Sequence, residues 1–187
     1  MRMRSGIACA VGLLLPLWAA AHDFVEGQRV PPVGIADRGE VIQQQAESRY
    51  QPWNSARLTG KVRVMLHIAG RLSAKDKNIA LTEAINRAAL PPDRYQTTTI
   101  INTDDAITGS ALFVRRSIEA SKKALPESQF IIDSRGAAKR AWQLEDGGSA
   151  VVVLDPTGTV RFARDGALTP AEVQQVMALL HQLLKTS

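Results

Sequence analysis

The feature that most constrains the fold is an alternation of strand-like and helix-like segments that begins at residue 61. Residues 61–69 are β-branched and mostly apolar at odd and even positions alike, which is typical of a strand in a sheet covered on both faces. A helical pattern follows, with Ser73 as the expected N-cap and Pro91 beyond its end. Residues 95–102 are rich in Thr and Ile and predict a second strand. This strand–helix–strand order favours parallel pairing of the two strands.

The C-terminal part of the chain predicts antiparallel pairing instead. Residues 151–154 are a strongly apolar strand, the sequence DPTG at 155–158 predicts a tight turn, and residues 159–164 return as the next strand. The last helix has the strongest signal in the chain, since Thr169 is a suitable N-cap and Glu172 completes a capping box.

The segments between these two parts connect them into one sheet. A weaker helix is expected at about residues 110–123 and a third strand at 130–132, whereas residues 137–144 fit a strand or a helix equally well. Together these elements predict an α/β fold, a three-layer sandwich with a mixed central sheet flanked by helices, over residues 61–187.

Residues 22–60 are the least regular part and carry several Pro and Gly residues. They predict an N-terminal extension, an extended arm or hairpin packed on the domain. A short strand is expected at Val41 and Ile42, after a turn at Arg38 and Gly39.

The first 21 residues have the three parts of a cleavable export signal. Two arginines precede an almost wholly apolar run at 7–18, and three alanines follow it, so cleavage is expected after Ala21. We therefore expect a periplasmic protein with no membrane anchor after cleavage, because no later apolar run is long enough to span a bilayer. A lipoprotein attached through Cys9 is a poor alternative, since almost no apolar segment precedes that residue.

Composition narrows the function classes. Removal of 21 residues from 187 leaves 166, enough for one domain with its own core. The formal charge of +5 falls to +3 without Arg2 and Arg4, and no dense basic block with interleaved aromatic residues is present. We therefore expect no nucleic-acid partner.

Several stretches resemble a known superfamily. These are GQRVPP at 27–32, LTGKVRVMLHIAG at 58–70, FIIDSRGAAKRAWQL at 130–144 and the hairpin and helix at 149–184. They resemble thioredoxin-like proteins related to peroxiredoxins and periplasmic thiol reductases. More narrowly, AHDFVEGQRVPPVGIADRGE, KVRVMLHIAGR and YQTTTIINTDDAI resemble the YtfJ family of exported bacterial proteins. The resemblance implies a thioredoxin-like fold.

The resemblance also implies a thiol chemistry that this chain cannot perform after cleavage. The redox families place a thiol between the first core strand and its helix, and the corresponding residues 69–75 contain no sulfur. Their cis-proline position falls on Ser149. The single cysteine, Cys9, lies in the export signal. Because a thiolate is the nucleophile in disulfide exchange, the family's fold is expected here without its reaction.

Five residues are candidates for ligand binding: His67, Arg71, Ser73, Asp104 and Ser149. A helix beginning at Ser73, with Arg71, Lys75 and Lys77 nearby, could bind a small anion or carboxylate, although a plain helix cap is the simpler interpretation. His67, near a strand end, could be an acid–base group or a buried histidine. Asp104 could bind a ligand at a strand's carboxyl end or merely end the strand.

Copper binding by the new terminal residue His22 with His67 or His181 is a further alternative, but nothing in the sequence brings the three together. No other motif for a cofactor or metal is present. We expect no cofactor, no resident metal and no catalytic residue. The leading hypothesis is a non-redox binding or accessory protein for an unknown periplasmic protein or small ligand. The alternative is a thiol-independent enzyme built on His67, Ser73 and Asp104.

Overall fold

Seven strands form one mixed sheet in the computed structural model, which describes residues 22–44 and 47–186. In chain order the strands are β1 Gly34–Gln44, β2 Glu47–Asn54, β3 Val62–Ala69, β4 Tyr95–Asn102, β5 Gln129–Asp133, β6 Ser149–Leu154 and β7 Val160–Asp165. Spatially they run in the order β2-β1-β5-β4-β3-β6-β7. The strands β3, β4 and β5 pair in parallel at the centre, and the other pairs are antiparallel.

Five α-helices cover this sheet within the described residues, so the expected mixed sheet flanked by helices is confirmed. They are α1 Leu72–Asp76, α2 Ile79–Ala88, α3 Ala111–Ala124, α4 Ala137–Trp142 and α5 Pro170–Thr186. The predicted capping box is present, because the Thr169 N–H donates to the Glu172 carboxylate at 2.8 Å and the Glu172 N–H donates to the Thr169 hydroxyl at 3.2 Å. No described helix has the length and apolar character needed to cross a membrane.

The sheet has two differently covered faces. On one, here called the α4 face, alternate strand residues such as Met65 and Ile131 pack beneath Trp142 of α4 and Phe24 of the N-terminal segment. On the other, here called the groove face, neighbouring strand residues pack against α2, α3 and α5. Strand β3 is buried on both faces, which is why its sequence is apolar at odd and even positions.

Residues 137–144, which the sequence left open, contain helix α4. The buried Asp133 carboxylate at the end of β5 accepts hydrogen bonds from the Ala137 and Ala138 N–H groups, at 2.9 and 2.8 Å. These bonds satisfy donors that a helix leaves free at its N-terminus. The end of the preceding strand therefore selects the helix.

The N-terminal segment supplies a hairpin that joins the sheet edge, since β1 pairs with β5. The expected turn at Arg38 and Gly39 is wrong. Gly39 lies inside β1 at an irregularity of register, with φ of 76°, and a Cβ there would lie 2.1 Å from the Gln51 carbonyl oxygen. A glycine thus permits a bulge within one long strand.

The prediction of Ser73 as an N-cap is also wrong. Helix α1 begins at Leu72, and its N-cap position, Arg71, makes no side-chain capping bond. The helical pattern then breaks at Asn78, whose φ of −119° and ψ of 29° are not helical. Its side chain is held by Ser149 at the start of β6 and by Gly166 and Leu168 after β7, so two helices replace the one expected. The predicted export signal lies outside the described residues.

Candidate functional site

An apolar groove lies on the groove face, between α2 and α3. Helix α2 buries Leu81 and Ile85 in the cluster formed with α5, whereas α3 buries Ile118 against β5 and the hairpin. The two helices therefore cover different strand pairs. The floor between them is provided by β4 and its neighbours, and the cavity has a volume of about 420 Å³. The floor residues are Leu66, Ile68, Thr97, Thr99, Ile101 and Phe130.

The groove gathers most of the exposed large hydrophobic side chains found in the described residues. Leu72 is 69% exposed, Ile107 65% and Phe113 67%, and Ile79 and Leu125 are also exposed; all five line the groove. Isolated apolar side chains on a surface need no explanation, but a contiguous set around a cavity marks a binding surface. The groove is therefore the leading candidate site.

The groove's charged lining is wholly basic within the described part of the chain. It consists of Arg71 and Lys75, both exposed, beside the carboxyl end of β3. The Arg71 Nε donates to the Asp105 carbonyl oxygen at 2.5 Å. Nothing among the described residues forms a hydrogen bond or ion pair with the Lys75 ammonium group.

Asn78 closes the groove floor near this end. Its amide nitrogen donates to the Ser149 hydroxyl and the Gly166 carbonyl, both at 3.1 Å, and its amide oxygen accepts from the Leu168 N–H at 2.9 Å. Asn78 is 4% exposed and Ser149 is 2% exposed, so the bond between them is shielded from water, whereas Gly166 and Leu168 are half-buried. The Asn78 amide therefore joins the start of α2 to the start of β6 and to the segment that precedes α5.

A polar cluster lies at the same carboxyl edge of the parallel strands. The Lys139 ammonium contacts the Asp105 carboxylate at 3.2 Å and the Asp146 carboxylate at 2.5 Å. The hydrogen bond to Asp146 raises the pKa of Lys139, and the same bond lowers the pKa of Asp146. Asp105 also accepts from the Asn102 amide at 3.1 Å and from the Gly147 N–H at 3.3 Å. The Asp105 carboxylate is thus fully engaged by its own chain.

His67 lies on the α4 face, where its ring meets Trp142 edge-on at 6.5 Å between centroids. It is 3% exposed, and its Nε2 has no hydrogen-bond partner among the described residues. Burial lowers its pKa from 6.5 to about 4, opposed by the Asp105 carboxylate and assisted by the Lys139 charge. The imidazole is therefore neutral at pH 7. It lies near Asp105 instead of Asp104.

The structure distributes the five candidate residues over different environments. Arg71 and Ser149 line the groove, and Ser149 is buried beneath Asn78. Ser73 and Asp104 are exposed. In the described chain, no hydrogen bond joins His67, Ser73 and Asp104 in any combination, and this arrangement does not support a shared catalytic centre.

Two apolar residues at the groove are among those that sequence reasoning missed. Ile107 and Phe113 line the groove, and neither has a chemical group that a motif search would select. One signal was present: Leu112, Phe113 and Val114 are three successive apolar residues at the start of a mostly polar helix. Successive residues on a helix point in different directions, so one apolar layer cannot bury all three.

The histidines of the copper alternative lie in different settings. The His22 Nδ1 accepts from the Phe24 N–H at 3.3 Å, His67 is enclosed under α4, and His181 is exposed on α5. Across residues 22–44 and 47–186, no group of three or more His, Cys, Asp or Glu side chains is arranged to hold a metal ion.

Comparison with known proteins agrees with this geometry at two levels. The solved structure of a protein assigned as the thiol:disulfide interchange protein DsbE from Chlorobium tepidum is 15% identical, with a TM-score of 0.57. The match covers 87% of this chain and 99% of that one. At this identity the match establishes the thioredoxin-like fold alone.

Sequence relatives establish the family. The "Uncharacterized protein YtfJ" of Escherichia coli (strain K12) is 64% identical, over 92% of this chain and 94% of that protein. An uncharacterized protein of Haemophilus influenzae (strain ATCC 51907 / DSM 11121 / KW20 / Rd) is 39% identical, over 96% of this chain and 97% of that protein. The family model described as "Bacterial protein of unknown function (YtfJ_HI0045)" matches residues 24–183. The chain therefore belongs to the YtfJ family, with a thioredoxin-like fold.

Proposed function

We propose that this chain is exported to the periplasm and acts there as a non-redox binding protein, which takes an apolar or amphiphilic ligand in the groove between α2 and α3. The observation that carries the proposal is the groove itself. A cavity of about 420 Å³ falls within the roughly 300–1,000 Å³ of small-molecule sites. Its rim exposes hydrophobic side chains whose burial by a ligand is favourable.

The absence of thiol chemistry supports the non-redox part. The only cysteine of the chain is Cys9, within the segment expected to be removed on export. In the described residues, the carboxyl end of β3 leads through Ala69 and Gly70 into α1 without a sulfur atom. Disulfide reduction requires a thiolate, and neighbouring side chains cannot supply one. The purified exported protein should therefore show no insulin or peroxide reduction, and measurable turnover would contradict this part.

The export part is supported by the charged, apolar and small-residue order of residues 1–21. N-terminal sequencing of the protein recovered from periplasmic extracts tests it directly. We expect His22 as the first residue. A chain that retains Met1 in that fraction would contradict cleavage, and recovery only from the cytoplasm would contradict export.

Groove binding is tested by filling the groove from within. Ser117 of α3 lines the cavity, whereas Ala120 on the same helix is exposed and lies outside it. Ser117→Trp should abolish the fluorescence increase of the apolar probe N-phenylnaphthylamine, while Ala120→Trp should leave it unchanged. Circular dichroism should show the same fold for both variants. Equal probe binding by both would place the probe elsewhere and contradict the proposal.

A further inference from the structure

We infer that the groove's ligand is a long-chain monoacyl anion of the free fatty acid type, with its hydrocarbon tail along the sheet floor and its carboxylate at Lys75. This inference rests on the proposed function, since it needs the groove to be the binding site. It adds the chemical class of the ligand.

The floor of the groove follows one strand. Thr97, Thr99 and Ile101 are alternate residues of β4 that all line the cavity, and they span about 13 Å at roughly 3.3 Å per residue. Leu72 lies near the carboxyl end of this floor, and Leu125 lies beyond α3 at the other end. The cavity above this floor has a volume of about 420 Å³ and is lined mainly by apolar atoms, which suits one extended hydrocarbon chain.

The charged side chains that line the groove indicate that the ligand has an anionic head group. The only charged side chains among the described lining residues are the cations Arg71 and Lys75, and both lie near one end of the floor, in the segment after β3. The remaining polar lining groups are neutral hydroxyls and amides. A site with cations at one end and hydrocarbon along its length is complementary to an anionic amphiphile.

Lys75 is the better of the two cations for this role. The Arg71 guanidinium already donates to the Asp105 carbonyl oxygen, whereas the Lys75 ammonium has no partner among the described residues. An anion at Lys75 would therefore gain a charge-assisted contact without displacing an existing one.

An extended peptide is a poorer fit to the same groove. Peptides that bind along a strand gain affinity from main-chain hydrogen bonds to an exposed sheet edge. The floor strand β4 pairs with β3 on one side and β5 on the other, so its backbone groups are already used. A hydrocarbon tail needs no such bonds.

Displacement of N-phenylnaphthylamine from the delipidated, exported protein tests whether the groove binds the hydrocarbon tail. Octanoate, decanoate and dodecanoate are added below their micelle concentrations at low ionic strength. Binding should tighten about fourfold for each added methylene group, which corresponds to burial of that group. Affinities that do not change with chain length would overturn the inference.

The head group is tested with the same tail. Dodecanoate should bind more tightly than dodecanol, and added salt should reduce the difference. Lys75→Glu should weaken dodecanoate binding about tenfold and leave dodecanol unaffected, because it replaces an attraction with a repulsion. Lys77→Glu makes the same charge change at an exposed residue outside the lining and should have little effect.

The outcomes separate this inference from the proposed function. Suppose that Ser117→Trp abolishes probe binding but every variant binds dodecanoate and dodecanol with equal affinity. The groove would then remain the binding site, and the inference that its ligand is an anion would be overturned. Displacement by an apolar peptide but not by dodecanoate would also overturn it. Failure of the probe itself to bind would remove the proposed function as well.

Discussion

The two faces of the central sheet differ in how completely other elements cover them. On the α4 face, Trp53 and Trp142 are 2% and 0% exposed and fill the layer. The N-terminal segment seals it, because the Trp142 indole N–H donates to the Pro31 carbonyl at 2.9 Å and the Asp23 N–H donates to the Trp142 carbonyl at 3.1 Å. On the groove face, α5 covers one part with Val176 and Leu180, α3 covers another with Ile118, and the groove between α2 and α3 stays open.

The difference follows from connectivity. Helices α2 and α3 belong to successive crossovers, β3 to β4 and β4 to β5, and each packs where its own strands lead. No third element of the described chain fills the space between them, whereas α4 and the N-terminal segment converge on one tryptophan. The closed face is therefore expected to supply stability and the open face to supply binding. The following changes test that division.

Removal of Trp142 should have the largest effect. Trp142→Ala deletes a fully buried indole and should lower the free energy of unfolding by about 3–5 kcal/mol. Trp142→Phe keeps one aromatic ring but loses the pyrrole part of the indole and the bond to Pro31, so we expect a loss of about 1 kcal/mol from the hydrogen bond plus a smaller cavity cost than for alanine. Urea denaturation followed by circular dichroism measures both. An alanine variant as stable as the parent would show that the α4 face does not carry the core.

Acidification should weaken the same face through His67. Its pKa falls from 6.5 to about 4 on folding, so below pH 6.5 the unfolded chain binds a proton that the folded chain does not. Stability is therefore lost as pH falls from 6.5 to 4, by about 3 kcal/mol in total. His67→Leu should flatten this part of the stability profile, and His181→Gln, an exposed control, should not. Identical pH profiles for the two variants would contradict the assignment to His67.

Substitution of Asn78 tests how much its hydrogen bonds beside the groove contribute to stability. Asn78→Ala leaves the Gly166 carbonyl and Leu168 N–H without their partner and should cost about 2 kcal/mol. Asn86→Ala, at an exposed position of the same groove, should change stability by less than about 0.5 kcal/mol. Thermal unfolding of both proteins compares them. Equal stability would mean that the Asn78 bonds are replaced by water.

The smallest change in the free energy of unfolding is expected at Phe113. Substitution of this residue should instead change binding of the apolar probe. This side chain is 67% exposed, so Phe113→Ser should alter the free energy of unfolding by less than about 0.5 kcal/mol while weakening binding of the apolar probe. Leu112→Ser, on the same helix but outside the groove lining, should alter neither. A Phe113 variant that unfolds easily would place this residue in the core and remove the contrast between the faces.

Local patterns predicted the framework. The two-sided apolar run of β3, the DPTG turn and the capping box of α5 are each confirmed, because each depends on neighbours within a few residues. In the turn, the Gly158 N–H donates to the Asp155 carbonyl at 2.9 Å. Hydrogen bonds to Asp155 from Thr157, Thr159 and Arg161 outweigh its burial and lower its pKa. Such signals are readable without a tertiary structure.

Long-range contacts decided what the sequence missed. Asn78 breaks the helical pattern after α1 through partners 71, 88 and 90 residues away along the chain. Asp133 selects a helix for residues 137–142, and β1 crosses Gly39 without turning because β5 pairs with it. In each case a distant partner outweighs a weak local preference.

The sequence by itself determined the order of strands and helices from β3 onward, apart from residues 72–88, where two helices replace the one expected, and residues 137–144, which it left open. The single cysteine, Cys9, lies outside residues 69–75, where the redox families carry their thiol, and the apolar periods set the crossovers and the hairpin. Only the tertiary structure decided that His67 lies near Asp105 and that Phe113 and Ile107 border a cavity. The physical reason is that the exposure of a side chain depends on how the neighbouring helices and strands pack around it. Two amphipathic helices specify their own buried sides, but the gap between them exists only after both have packed on the sheet.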